Sequence, residues 1–158
     1  MLNWISPKIL AKSTRKISTD FLKQNGLEIV SEWYHSPYGV DFFMWKNGNG
    51  EVIKFQLSVM GQVTEWSLNA PLQTGMILEE EAMAGGPLAY EASEKIQYDL
   101  EPQSSTLIYA HQILLGMSDL NATLQKTLTE GLESGGVSLS RRPQKGFLSY
   151  LKSLFLRK

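Results

Sequence analysis

His35 is followed directly by Ser36 and, six positions on, by Asp41. A serine, a histidine and a carboxylate are the parts of an acyl-transfer triad: the histidine takes the serine proton and the carboxylate orients the ring. The strand-to-helix Gly-x-Ser-x-Gly turn that often carries such a serine is absent. The other histidine, His111, lies among Leu107, Ala110 and Leu114, a pattern of a helix residue bonded within its own element. Neither histidine belongs to an HxH or HxxxH pair. A zinc site would need both to converge from distant elements with carboxylates completing the shell. The chain has no cysteine, which excludes disulfides, thiolate metal sites and cysteine nucleophiles. The expectation is therefore no histidine-dependent catalysis, no metal and no cofactor. The enzyme alternative is a small hydrolase or nucleotide-binding enzyme using His35 or His111.

Asn47-Gly48-Asn49-Gly50-Glu51 contains a Gly-x-Gly, but it joins two strand-like runs and opens no helix, so it reads as a hairpin turn and not a phosphate cradle. Arg141-Arg142 resembles the arginine pair of PilZ-type domains, which grips cyclic dinucleotides. The Asp/Asn-x-Ser-x-x-Gly element of that family does not follow it. Glu79-Glu80-Glu81 reads as a solvated acidic loop or a partner for a basic end, with divalent-cation binding as the less economical use.

Charge is strongly partitioned. The net value is −1. Residues 1–26 carry five bases against Asp20, residues 27–140 carry fifteen acids against four bases, and residues 141–158 carry six bases and no acid. The acidic body would repel nucleic acid and anionic lipid, whereas the ends would attract them or fold back on the body. Aromatic residues on an exposed strand face could stack on bases, but the acidic body lacks the cations that track a phosphate backbone. No nucleic-acid partner is expected.

The last segment has the most specific pattern. At about 100° per residue, Phe147, Leu148, Leu151, Leu154 and Phe155 share one helical face, with Lys152 and Arg157 opposite or flanking. Upstream lie Arg141, Arg142 and Lys145, within a Gly/Ser-rich stretch that reads as a linker. A twelve-residue helix gains most of its stability from packing its apolar face. Its receiver could be its own domain, a partner's groove or an anionic membrane. External docking by Arg141, Arg142, Lys145, Phe147, Leu148, Leu151, Lys152, Leu154 and Phe155 is the favoured reading.

The elements that would position these residues read as follows. Ser6-Pro7 starts a helix, and Leu10, Ile17, Phe21 and Leu22 fit one helical face, giving a helix over about 7–25, with a break near Ser13-Thr14 as an alternative and low helix propensity at Ser18-Thr19-Asp20. Residues 28–68 hold eight of the sixteen aromatics and read as strands at Leu27–Tyr34, Val40–Lys46, Glu51–Val59 and Gln62–Leu68. Alternation places Ile53, Phe55, Leu57 and Val59 on one buried face. Residues 69–86 lack regularity. Leu88–Asp99 reads as a helix, with Ile96-Gln97-Tyr98 also compatible with a strand. Ser104–Met117 reads as a buried helix. A following helix is capped at Ser118 or Asp119 and ended by Gly131 and Gly135-Gly136.

The resulting architecture is α+β: an N-terminal helix, an antiparallel meander of three or four strands, two or three helices, and a short C-terminal amphipathic helix. The domain spans 1–134, a linker 135–146, and the basic amphipathic segment 147–158. This order of elements, with an acidic body, resembles that of small secretion chaperones at the level of fold. No transmembrane helix is expected, because no stretch approaches about 18 consecutive apolar residues, and no secretory segment, because Lys8 and Lys12 interrupt the apolar start. The expected protein is a non-enzymatic protein-binding or regulatory domain of the cytoplasm. Its partner is another protein or a second copy, with peripheral contact to an anionic membrane as the alternative.

Overall fold

A computed structural model describes residues 5–24, 26–78 and 95–134. The N-terminal helix is short: α1 covers Pro7–Ser13. The Ser6 side chain caps its start. At its other end the Ser13 and Thr14 hydroxyls both donate to the Leu10 carbonyl, at 2.9 and 2.7 Å. Thr14 is extended at the cap, and the chain turns into β1, Arg15–Gln24. The helix expected over 7–25 is thus a helix and a strand meeting at Ser13-Thr14. Two contacts at the start of β1 favour the strand: Lys16 N–H donates to Asp119 at 2.8 Å, and its ammonium lies 3.1 Å from Glu32.

Six further strands continue the sheet: β2 Leu27–Ser36, β3 Val40–Asn47, β4 Val52–Val59, β5 Gln62–Ser67, β6 Ala70–Ile77 and β7 Ile96–Tyr98. They lie in sequence order and every neighbouring pair is antiparallel. The sheet therefore has seven strands, not three or four. The additions are β1, β6, in the stretch that lacked a periodic pattern, and β7, where 96–98 is strand. The turns follow from positive-φ residues. Asn47 accepts the N–H groups of Asn49 and Glu51 across the β3–β4 hairpin, with Gly50 at φ 79°. Met60 and Gly61 both take positive φ between β4 and β5.

Two helices follow, α2 Ser104–Gly116 and α3 Ala122–Glu133. The α3 cap is Asn121, whose side chain accepts from Leu124 N–H; Asp119, one of the expected caps, is bound to Lys16 instead. Gly131 does not end α3. It lies inside the helix because a Cβ there would sit 3.3 Å from Phe55 and 3.4 Å from Trp66, so its small size lets α3 approach the sheet.

All three helices contribute to one core with the inner face of the sheet, including Leu10, Phe42, Met44, Phe55, Leu57, Leu107, Leu114, Leu128 and Leu132. Phe55, Leu57 and Val59 point inward as expected. Ile53 does not: the register shifts between Trp45 and Lys46, so Lys46 pairs with Val52, and Val52 takes the buried position.

The close approach of α1 and α2 rests on Gly116, where a Cβ would come within 2.7 Å of the buried Ala11 Cβ. Gly116→Val is expected to overpack this crossing and to lose about 1–3 kcal/mol. Urea unfolding checks it; a variant as stable as the parent would show that α1 shifts freely.

Candidate binding face on the outer side of the sheet

Residues alternate between the sheet's faces, and cross-strand register places the outward set in rows. One row runs His35, Asp41, Ser58, Val63. The next runs Trp33, Phe43, Gln56, Glu65. The third contains Ser31, Trp45, Lys54 and Ser67. This face lies opposite the helical layer.

The triad parts do not assemble. His35 Nδ1 lies 2.8 Å from Asp41 Oδ1. Ser36 points inward, where it is buried and contacts Ser13 Oγ at 2.6 Å. Ser58 does share the outer face, but Asp41 stands between it and His35. Two strand spacings, roughly 10 Å, separate His35 from Ser58, so neither Ser36 nor Ser58 is placed for the ring to activate. Alternation alone carries the signal that excludes Ser36, because adjacent strand residues face opposite ways. His111 lies on α2 with Nε2 3.6 Å from Glu133 of α3. The sheet separates it from His35, so the two cannot share a metal. Among the described residues no group of three or more His, Cys, Asp or Glu could hold a metal ion.

The outer face instead carries a continuous row of rings. Trp33 and Phe43 are stacked with centroids 5.9 Å apart and planes at 4°, and Phe43 and Trp45 at 6.0 Å and 22°. The ends of the row are covered. His35 leans on Trp33 at 5.8 Å, and the Lys54 ammonium lies 5.4 Å from the Trp45 centroid. Trp33 Nε1 also donates to Asp41 Oδ1 at 2.9 Å. Lys54 continues to Glu65 at 3.5 Å, and the Tyr98 hydroxyl donates to Glu65 at 3.2 Å. Burial and the Glu65 charge raise the Tyr98 pKa, which keeps that hydroxyl a donor.

Beside the rings the face is buried, with Val63 0% exposed. Gln56 is 6% exposed and Ser58 8%. No fully enclosed polar side-chain atom among the described residues lacks a partner. The Ser58 hydroxyl thus lies beside Asp41 and the Gln56 amide beside Glu65.

Sequence reasoning found the aromatic enrichment but not this arrangement, which needs cross-strand register. The expected docking residues, Arg141, Arg142, Lys145, Phe147, Leu148, Leu151, Lys152, Leu154 and Phe155, lie outside the described residues. So do the expected linker and Glu79-Glu80-Glu81. Among the described residues no helix is long and apolar enough to cross a membrane. No protein family, no curated protein and no solved structure matches the chain.

Proposed function

We propose that this chain is a non-enzymatic protein-binding domain whose partner docks on the outer face of the sheet, with the basic segment 141–158 as a second contact. The ring row carries the reading. Because the rings stack on one another and His35 and Lys54 cover the ends, the row offers edges, not open faces. A sugar or nucleobase needs a free ring face, whereas apolar side chains pack against an edge ridge. Trp and Phe beside a polar, hydrogen-bonding floor are the residue types enriched at protein interfaces. Cytoplasmic location and a regulatory role belong to the same reading.

The test compares capture by the full chain and by a Phe43→Ser/Trp45→Ser variant whose fold is checked by circular dichroism. Retention of a defined protein is expected to fall at least tenfold, since truncating central aromatic anchors costs about 2 kcal/mol or more each. Unchanged retention would place the partner elsewhere.

A second reading, self-association, has its own observation. Strand β1 is a ten-residue edge of the sheet, and Phe21 on it is 82% exposed, with Ile17 and Leu22 also exposed. Long apolar edges pair with other strands. Sedimentation of the parent and of Phe21→Lys separates this reading: a dimer that dissociates in the variant supports it.

A further inference from the structure

We infer that β1 pairs with β1 of a second copy, antiparallel and about a two-fold axis at Phe21, so that two seven-stranded sheets become one. This rests on the self-association reading above and deepens it by naming the register and the backbone groups that bond.

Among the described residues only β2 is paired with β1, and every residue from Thr19 to Lys23 is exposed. Edge strands are usually blunted by bulges, proline or charge. On β1 these devices gather at one end. The register shifts between Lys16 and Ser18, and Arg15 and Lys16 lie beside the shift. From Ser18 to Gln24 the pairing with β2 is continuous, and no proline interrupts it. Phe21 stands at the centre of this open stretch.

Backbone alternation fixes which groups are open. Gln24 pairs with Leu27 across a two-residue turn, and such a turn closes on a hydrogen-bonded pair. Counting back by twos, Gln24, Leu22 and Asp20 bond to β2, so Thr19, Phe21 and Lys23 turn their N–H and C=O groups to the open edge. Residues directly opposite in an antiparallel ladder are both bonded or both unbonded to each other. A β1–β1 pairing therefore has its axis on a residue, not between two. On Asp20 the axis would oppose two carboxylates, which destabilises. On Thr19 the partner would run into the shifted end, and on Leu22 into the turn. On Phe21 the whole stretch 18–24 overlaps its copy. Phe21 then faces Phe21 of the second copy, Asp20 faces Leu22, and Thr19 faces Lys23, with no like charges opposed.

Charge selects a second copy as the occupant. The β1–β2 ribbon, residues 15–36, carries Arg15, Lys16 and Lys23 against Asp20, Glu28 and Glu32. Lys16 lies 3.1 Å from Glu32, and Lys23 is in register with Glu28. Bases and acids balance, so the ribbon neither repels its own copy nor attracts a strongly charged strand. Phe21 and Leu22 are 82% and 47% exposed and point to opposite faces. Pairing thus removes apolar surface from water on both faces of the joined sheet.

Residue-resolved amide exchange by nuclear magnetic resonance, with sedimentation equilibrium of the same full chain, tests this. Sedimentation is expected to show a monomer–dimer equilibrium. The amides of Thr19, Phe21 and Lys23 should exchange at least tenfold more slowly at about 500 μM than at about 10 μM protein, because pairing follows mass action. Those of Asp20 and Leu22, already bonded to β2, should change less. Thr19→Pro removes one outward N–H and no bond to β2, a position where an edge strand accepts proline. It is expected to weaken the dimer at least tenfold while circular dichroism stays that of the parent. Phe21→Lys, which sets two ammonium groups together at the axis, should do the same and carries the test if the proline variant does not fold. A dimer that survives both substitutions, or whose Thr19, Phe21 and Lys23 amides stay fast, would keep self-association and overturn the β1 pairing. A monomer at every concentration would overturn both.

Discussion

Phe55→Ala should lower stability by about 3–5 kcal/mol, the cost of removing a fully buried aromatic ring and leaving a cavity. Phe55 is 1% exposed and pairs across strands with Met44 and Trp66. Its ring stacks on Trp66 at 5.6 Å and meets Phe42 at 6.1 Å. From the other side α3 approaches at Gly131, and a helix backbone held at that distance cannot collapse into the space that alanine leaves. Urea unfolding should show the loss, and the melting midpoint should drop by about 10 °C or more for a chain of this size. A loss under about 1 kcal/mol would mean that the inner face is not the core. The same substitution should leave the outer face's chemistry unaltered wherever the protein remains folded, because Phe55 faces away from it.

Glu32→Gln should lower stability by about 1–3 kcal/mol near neutral pH, the range for hydrogen bonds to a charged group. Glu32 lies at the border of the core. One carboxylate oxygen accepts the Tyr34 hydroxyl at 2.8 Å, and the other lies 3.1 Å from the Lys16 ammonium and 3.4 Å from that of Lys46. The carboxylate therefore joins β1, β2 and β3. Burial by itself would raise its pKa; the Tyr34 hydroxyl and the two ammonium groups outweigh burial and hold it below the ordinary carboxylate value. Burial, and then the Glu32 carboxylate, push the Tyr34 hydroxyl far up, so it stays a donor throughout the working pH range.

The sign of the pH effect follows. A carboxyl whose folded pKa is depressed contributes stability above its unfolded pKa, about 4.3. That contribution is lost as pH falls through the folded value. The parent and Glu32→Gln should thus differ most at neutral pH and converge in acid. Unfolding midpoints measured from pH 7 down to about pH 3 check this. A gap that stays constant with pH would assign the loss to packing and not to the charge.

Several elements were legible because their causes are local. The Asn47–Gly50 hairpin follows from residues that tolerate positive φ. Strand β4 follows from its alternation, and α2 from its apolar content. Strand β1 was not legible. Leu10, Ile17, Phe21 and Leu22 fit a helical face, and only Glu32 and Asp119, distant in sequence, bind Lys16 and make the extended form the better one. Strand β6 was missed because its inward residues include Leu72 and Thr74, too mixed to show a period. Its cause is pairing with β5 on one side and β7 on the other.

Composition determined that this chain has no thiol chemistry and that its charge is segregated; both depend only on which residues occur and in what order. Local pattern determined the α+β class and the burial of Phe55, Leu57 and Val59, because alternation and turn chemistry act over a few residues. The tertiary structure alone decided the number of strands, the fate of β1 and the character of the outer face. Cross-strand register, set by hydrogen bonds between residues distant along the chain, sets Trp33 beside Phe43, and alternation along β3 places Trp45 next to it on the same face. The same register puts Asp41 between His35 and Ser58, which keeps that histidine and that serine two strands apart.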